Sequence, residues 1–138
     1  MMKIIVFTHG ALAGALKESA SMLVGKLDNV ECFSVTPGCD LDALREQVSA
    51  CIAAHRQDGV LVFSDLFFGT PFNILINLSQ EQAFPHITGV NLPLLIEAVN
   101  YSRRQNTDIE QVARELMEFS RDCIKDAGAF IASLPSIL

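Results

Sequence analysis

The stretch from residue 60 to residue 73 reads VLVFSDLFFGTPFN and carries the most informative pattern of the chain. Its first five residues, Val60–Ser64, form an apolar run rich in β-branched side chains, which is typical of a buried strand. Thr70 and Pro71 are predicted to be the N-cap and the first residue of a helix that continues to about Leu78, because proline is favoured in the first helical turn. Asp65 therefore lies in a loop between a strand end and a helix start.

Similar apolar runs occur at residues 3–7 and 30–35, with a weaker one at residues 86–90, and helical patterns separate them. Alternation of this kind predicts βαβ units with parallel strands and right-handed crossovers. Strands that are apolar on both faces need helices on each side of the sheet. The sequence thus predicts a single α/β domain over residues 1–138, doubly wound, with a mainly parallel four-stranded sheet.

Capping residues and apolar spacing locate the other helices. They are predicted at residues 11–24, at residues 41–53 behind an N-cap at Asp40, from Leu92-Pro93 onward, and from an N-cap at Asp108 through Ile124. The apolar segment 127–138 leaves three alternatives open: a continuation of the last helix, an edge strand, or a helix at a dimer contact.

Composition excludes several classes of protein. The 138 residues are 50% hydrophobic and carry a formal charge of −6, with no basic run longer than Arg103-Arg104, which argues against a nucleic-acid surface. No apolar stretch approaches the roughly 20 residues of a membrane span. The four cysteines contain no Cys-x-x-Cys pair, so we interpret them as cytoplasmic thiols and expect neither a disulfide nor a metal site.

Two ionisable side chains follow predicted strands. His9 comes after the first strand and Asp65 after the third, and ligands of open α/β sheets bind at the carboxyl ends of strands. If these strands are neighbours, the carboxylate can hold one imidazole nitrogen and leave the other as a nucleophile. Gly10 would let the chain pass close to the site. The helix start at Gly69 and Thr70 would receive the oxygens of an anion, and we expect that anion to be a phosphoryl group.

Each of these residues also has a purely structural interpretation. Asp65 could cap the following turn, and Thr70 could serve as an N-cap alone. His55 is expected at a solvated helix end, and His86 is expected only to open the fourth strand after Pro85. Phe67 and Phe68 cannot both point inward from one loop, so at least one of them is expected to be exposed to a partner or a second subunit.

Three segments make the chain resemble the IIA component of the mannose/fructose/sorbose family of the bacterial sugar phosphotransferase system. They are IVFTHG at residues 5–10, DLFFGTPFN at residues 65–73 and TGVNLP at residues 88–93, and the agreement in order and spacing extends over about residues 3–101. One departure concerns Phe68, which stands where the family usually has glycine. Because a bulky residue avoids positive φ, we expect the loop after Asp65 to differ.

The resemblance implies a phosphoryl relay. His9 would accept a phosphoryl group from the histidine-containing phosphocarrier protein and pass it to a histidine of the IIB component, which works with the membrane IIC and IID components. Asp65 would be its carboxylate partner. Thr70 would lie beside the phosphoryl group and Asn91 in the neighbouring loop, and with Gly10 and Gly69 they make up the predicted phosphate-binding residues. The family resemblance also implies a cytoplasmic homodimer, with the tail over residues 107–138 at the dimer contact, and no metal or organic cofactor.

Two alternatives remain open at this point. A related phosphotransferase subunit of a dihydroxyacetone kinase uses a similar histidine, and a regulatory module could be phosphorylated on His9 only as a signal. A receiver-like domain phosphorylated on Asp65 is disfavoured, because Thr8-His9 stands where such a domain needs an acidic pair to hold magnesium.

Overall fold

The computed structural model of the chain describes residues 1–136. Its sheet contains four parallel strands in the order β2-β1-β3-β4. Their bounds are β1 Lys3–His9, β2 Val30–Val35, β3 Val60–Ser64 and β4 His86–Thr88. The predicted α/β architecture with a parallel four-stranded sheet is confirmed, and β1 and β3 are neighbours in the middle of that sheet.

Within residues 1–136, six helices connect or follow the strands: α1 Leu12–Val24, α2 Leu41–Ala54, α3 Thr70–Leu78, α4 Leu92–Ser102, α5 Ile109–Ser120 and α6 Ala127–Ser133. A short 3-10 turn, Arg56–Asp58, precedes β3. The predicted N-caps at Asp40 and Asp108 are confirmed, because each carboxylate accepts a hydrogen bond from a backbone N–H of the first helical turn.

The sheet separates two apolar cores. Alternate residues of β1 point to opposite sides, so Ile4 and Val6 pack with α1, α4 and α5 while Ile5 and Phe7 pack with α2 and α3. Within the described chain, Phe7 and Phe63 are the largest fully buried side chains, one in each core. Helices therefore cover both faces, as the apolar strands require.

Several predicted boundaries are wrong. β1 continues to His9, because its last residues stay paired with β2 through Val35. β4 ends at Thr88 and not at residue 90, because Gly89 takes φ 87° and the N–H groups of Gly89 and Val90 both turn to the Ser64 carbonyl.

The C-terminal region also departs from expectation. α5 ends at Ser120 and not at Ile124, since the following N–H groups make tighter turn hydrogen bonds to carbonyls three residues earlier. Asp126 then caps α6 through its Oδ1 and the Ala129 N–H, so residues 127–133 are a separate helix and neither a continuation of α5 nor an edge strand. The last two residues of the predicted tail, 137 and 138, lie outside the described residues.

No helix in the described part of the chain has both the length and the apolar character needed to cross a membrane.

Candidate active site

His9 and Asp65 meet at the carboxyl edge of the sheet. Phe7 pairs with Ser64 between β1 and β3, so the residues that follow each of them approach one another. The His9 Nδ1 lies 3.0 Å from Oδ2 and 3.2 Å from Oδ1 of Asp65, and the backbone N–H of His9 donates to the same Oδ2 at 3.0 Å. One carboxylate thus holds both the backbone and the ring of His9.

This contact orients the imidazole. A carboxylate is only an acceptor, so it favours the tautomer in which Nδ1 carries the proton and Nε2 keeps its lone pair. The Asp65 side chain is largely buried, at 12% exposure, whereas that of His9 is 44% exposed. The arrangement presents a nucleophilic nitrogen toward solvent from a fixed ring.

The backbone of Gly69 packs against the edge of that ring. A Cβ added to Gly69 would lie 2.7 Å from Cε1 and 3.4 Å from Nε2 of His9, so only glycine fits there without displacing the imidazole. The Gly69 N–H donates to the Leu66 carbonyl at 3.1 Å, which closes a tight turn over residues 66–69. Among the residues predicted to bind phosphate, Gly69 is therefore in direct reach of His9.

Phe68 occupies the third position of this turn with φ 63°. Phe68 thus adopts the left-handed region that a bulky residue ordinarily avoids, at a turn position that favours glycine. The expected difference of this loop from that of the family stays a prediction. Phe67 and Phe68 are both well exposed, in agreement with the expectation that at least one would be. Their rings and that of Phe72 lie within about 4 to 5 Å of one another, at centroid separations of 4.2, 5.0 and 5.3 Å.

α3 presents an open N-terminus beside His9. Its N-cap is Gly69 and not Thr70, because Gly69 has the extended backbone and Thr70 is already the first helical residue. Among the described residues, no side chain caps this end of α3. Free N–H groups at the positive end of a helix dipole are suited to bind an anion, and the Thr70 hydroxyl is an additional donor.

Gly10 has a structural role in the backbone after His9. Its φ is 57°, and its N–H donates to the Val35 carbonyl at 2.8 Å, so that amide is already occupied. Thr8, which was not among the predicted site residues, is fully buried, and its Oγ1 accepts from the Ala13 N–H at 2.8 Å. This side chain fixes the start of α1 immediately after His9.

Asn91 lies farther along the same edge. It is the N-cap of α4, where its Oδ1 accepts from the Leu94 N–H at 3.0 Å. It follows β4, which β3 separates from β1, so the sheet order does not bring it next to His9 as it does Asp65.

A second polar cluster that sequence reasoning missed supports the end of β3. Ser64 Oγ lies 2.7 Å from His86 Nε2 and 2.9 Å from Thr88 Oγ1, while the Phe72 ring lies 5.4 Å from the His86 ring. Burial lowers the pKa of His86 to about 4, so this imidazole is neutral at pH 7. The sequence signal was the i, i+2 spacing of His86 and Thr88, which puts both side chains on one face of a strand.

His55 lies at the end of α2, as expected, where its Nδ1 contacts the Cys51 carbonyl at 2.9 Å. The four cysteines are free thiols, and the described residues hold no group of three or more His, Cys, Asp or Glu side chains placed to bind a metal ion.

Comparison with known proteins gives one consistent family. The model of the family described as PTS system fructose IIA component matches residues 3–117. The chain is 31% identical over 123 residues to the PTS system sorbose-specific EIIA component of Lacticaseibacillus casei, a match that covers 88% of this chain and 87% of that protein.

Two other similarities agree with it. The PTS system mannose-specific EIIAB component of Escherichia coli strain K12 is 30% identical over 124 residues, which cover 88% of this chain and only 38% of that longer protein. The crystal structure of phosphotransferase system component EIIA from Streptococcus agalactiae superposes with a TM-score of 0.82 at 27% identity, over 94% of this chain and 99% of that one.

Proposed function

Since this chain belongs to the PTS fructose IIA component family, the mannose/fructose/sorbose family of EIIA components, we propose that it relays a phosphoryl group through His9. The single observation that carries this proposal is the contact of His9 Nδ1 with the Asp65 carboxylate at 3.0 Å. That contact leaves Nε2 as the free nitrogen of an exposed, oriented imidazole.

In the proposed reaction, Nε2 of His9 attacks the phosphorus of a phosphohistidine on the phosphocarrier protein. The new P–N bond forms at Nε2 as the N–P bond of the donor breaks, and the donor imidazole leaves with the electron pair. The Nδ1 proton of His9 stays in its hydrogen bond, so the negative charge of Asp65 stabilises the positive charge that develops on the ring. The same step in reverse passes the phosphoryl group to a histidine of the IIB component.

The phosphoryl oxygens need donors that are in place before the transfer. The open N-terminus of α3 and the Thr70 hydroxyl supply such donors beside His9, because Gly69 both caps α3 and touches the imidazole. A few fixed donors suit a relay, which must release its phosphoryl group as readily as it accepts it. Gly10 contributes the backbone bend after His9, and Asn91 contributes the start of α4.

The test is phosphorylation by phosphoenolpyruvate, enzyme I and the phosphocarrier protein, followed by intact mass. We expect an acid-labile gain of about 80 Da, the mass of one added phosphoryl group. It should be absent in His9→Ala and retained in the matched control His55→Ala. Asp65→Asn should slow the gain by roughly a hundredfold, because an amide can stabilise the wrong imidazole tautomer. A folded wild type that gains no mass would contradict the relay.

Transfer onward separates the relay from a signalling module. When purified IIB component is added to the phosphorylated protein, the relay predicts loss of the 80 Da from this chain and its appearance on IIB, as about one phosphoryl group per chain. A module phosphorylated only as a signal would keep the group. Adding a dihydroxyacetone kinase partner instead of IIB tests the remaining alternative in the same assay.

We further propose that the chain acts as a homodimer. The support is α6, which has no buried residue in one chain and exposes Phe130 and Ile131, as does its C-cap residue Leu134. Apolar side chains clustered on one short helix are typical of a surface that a second subunit covers.

A further inference from the structure

The turn over residues 66–69 needs support from outside itself. It has to hold the Gly69 backbone against His9 Cε1, yet its third residue is Phe68 with φ 63°. A side chain with a Cβ is strained in that region, so an isolated turn of this sequence would relax toward negative φ. Such a relaxation would move Gly69 and release the imidazole on that side.

Three aromatic rings oppose this relaxation of the turn. We call Phe67, Phe68 and Phe72 the aromatic cluster. Phe68 contacts both other rings, and the Phe67 and Phe72 rings meet at 5.0 Å and an interplanar angle of 65°. Edge-to-face pairs at such separations are attractive beyond the apolar area that they bury. Phe72 belongs to the first turns of α3, so the cluster ties the strained turn to a rigid helix.

The aromatic cluster packs against His86 of β4 through Phe72. The Phe72 ring lies 5.4 Å from the His86 ring, and the His86 Nε2 bonds to Ser64, the residue immediately before Asp65. The Ser64 carbonyl accepts from Gly89 and Val90 at 3.0 and 3.1 Å, so the end of β3 is held from the β4 side as well. Asp65 and Gly69, the two partners of the His9 ring, are thus connected through Ser64, His86 and the aromatic cluster.

We propose that the aromatic cluster and His86 are positioning residues for His9: they hold the strained 66–69 turn so that Gly69 and Asp65 fix the imidazole from two sides. The expected effect on the rate of phosphorylation rests on the proposed phosphoryl relay. The orientation of the His9 ring, in contrast, is a property of the unphosphorylated protein. It also assigns the exposed Phe68 a role within the chain and not as a docking contact.

Three substitutions separate positioning from docking. Phe68→Ala removes the ring while a Cβ keeps the turn strained, so we expect kcat for phosphorylation of His9 to fall roughly tenfold at unchanged KM for the phosphocarrier protein. Phe72→Leu removes the ring that links the turn to His86 and should do the same. Phe68→Gly removes both the ring and the strain, so the turn keeps its form and kcat should stay within about twofold of wild type.

The second measurement needs no phosphoryl donor. The ring nitrogen chemical shifts of His9 in a two-dimensional ¹H–¹⁵N spectrum report the fraction of each tautomer. They should match the Nδ1–H form in wild type and Phe68→Gly, and move toward the tautomer average in Phe68→Ala and Phe72→Leu. Met22→Ala, at an exposed position on α1, is the matched control, and thermal melting confirms that each variant is folded.

The outcomes are distinct. Unchanged His9 shifts and unchanged kcat in Phe68→Ala and Phe72→Leu would overturn the positioning role. A raised KM in both Phe68→Ala and Phe68→Gly with unchanged His9 shifts would also overturn it, and would make Phe68 a docking contact. If wild type shows the fixed tautomer but gains no phosphoryl group, the relay fails while the positioning role stands.

Discussion

At the scale of single residues, Gly69 has little freedom to change. An added Cβ would lie 2.7 Å from His9 Cε1, a distance at which the ring or the turn must move. We expect Gly69→Ala to fold but to be phosphorylated at least tenfold more slowly, because small displacements of reacting groups are costly in rate. Initial rates by intact mass measure this.

Gly128→Ala is the matched control, since its added Cβ would make an ordinary 3.6 Å contact. Equal rates for Gly69→Ala and wild type would show that the imidazole does not need the space beside Gly69.

His86 makes a second prediction, on stability as a function of pH. Burial lowers its pKa to about 4 in the folded protein, whereas an unfolded chain has the ordinary value of 6.5. The unfolded state therefore binds more protons between these values, and the free energy of unfolding falls as the pH is lowered from about 6.5 to 4. We expect the free energy of unfolding to fall by on the order of 2 kcal/mol over this range. This is less than the full pKa shift implies, because His86 is only partly buried.

Urea unfolding at several pH values tests this against His86→Gln, whose amide can still donate to Ser64 but does not titrate. The free energy of unfolding of wild type, taken relative to that of His86→Gln, should fall as the pH is lowered toward 4. A difference that is independent of pH would show that His86 has an ordinary pKa.

At the scale of elements, the start of α1 depends on a buried side chain. Thr8 Oγ1 accepts from the Ala13 N–H at 2.8 Å, and the residue has no exposed surface. Thr8→Val keeps the shape but leaves that N–H unpaired, so we expect a loss of about 1 to 2 kcal/mol in the free energy of unfolding. Urea denaturation measures it, with the exposed Thr36→Val as a control that should change little.

Strands and helices could be predicted from the sequence where a local pattern, such as an apolar run or an N-cap residue, defines them. Apolar runs located all four strands, and the N-caps at Asp40 and Asp108 located two helix starts, because side-chain caps act within three residues of the chain. Contacts between distant segments could not be predicted in this way. The bond of Ser64 to His86 joins residues 22 apart, and the contact of Phe72 with the His86 ring likewise joins α3 to β4. The positive φ of Phe68 was missed for a different reason, because the local preference of a bulky residue is for negative φ.

At the scale of the whole molecule, the sheet order builds the site. The two strands that end at His9 and Ser64 are both central, so their carboxyl ends meet between helices of opposite faces. The sequence predicted the meeting of His9 and Asp65 only on the condition that their strands are neighbours. That condition is a property of the complete fold, because the outer positions of β2 and β4 decide which strands remain for the centre.

The last prediction concerns assembly. If the exposed face of α6 is the subunit contact, light scattering after size exclusion should give twice the 15.1 kDa mass of one chain. Ile131→Asp should weaken the dimer roughly tenfold or more, because it places a charge in an apolar contact. Phosphorylation of His9 should survive in the monomer, since Asp65 and Gly69, which hold the imidazole, both lie outside α6. Met22→Asp, at an even more exposed position on α1, should leave the dimer intact. A wild type of single-chain mass would exclude the contact.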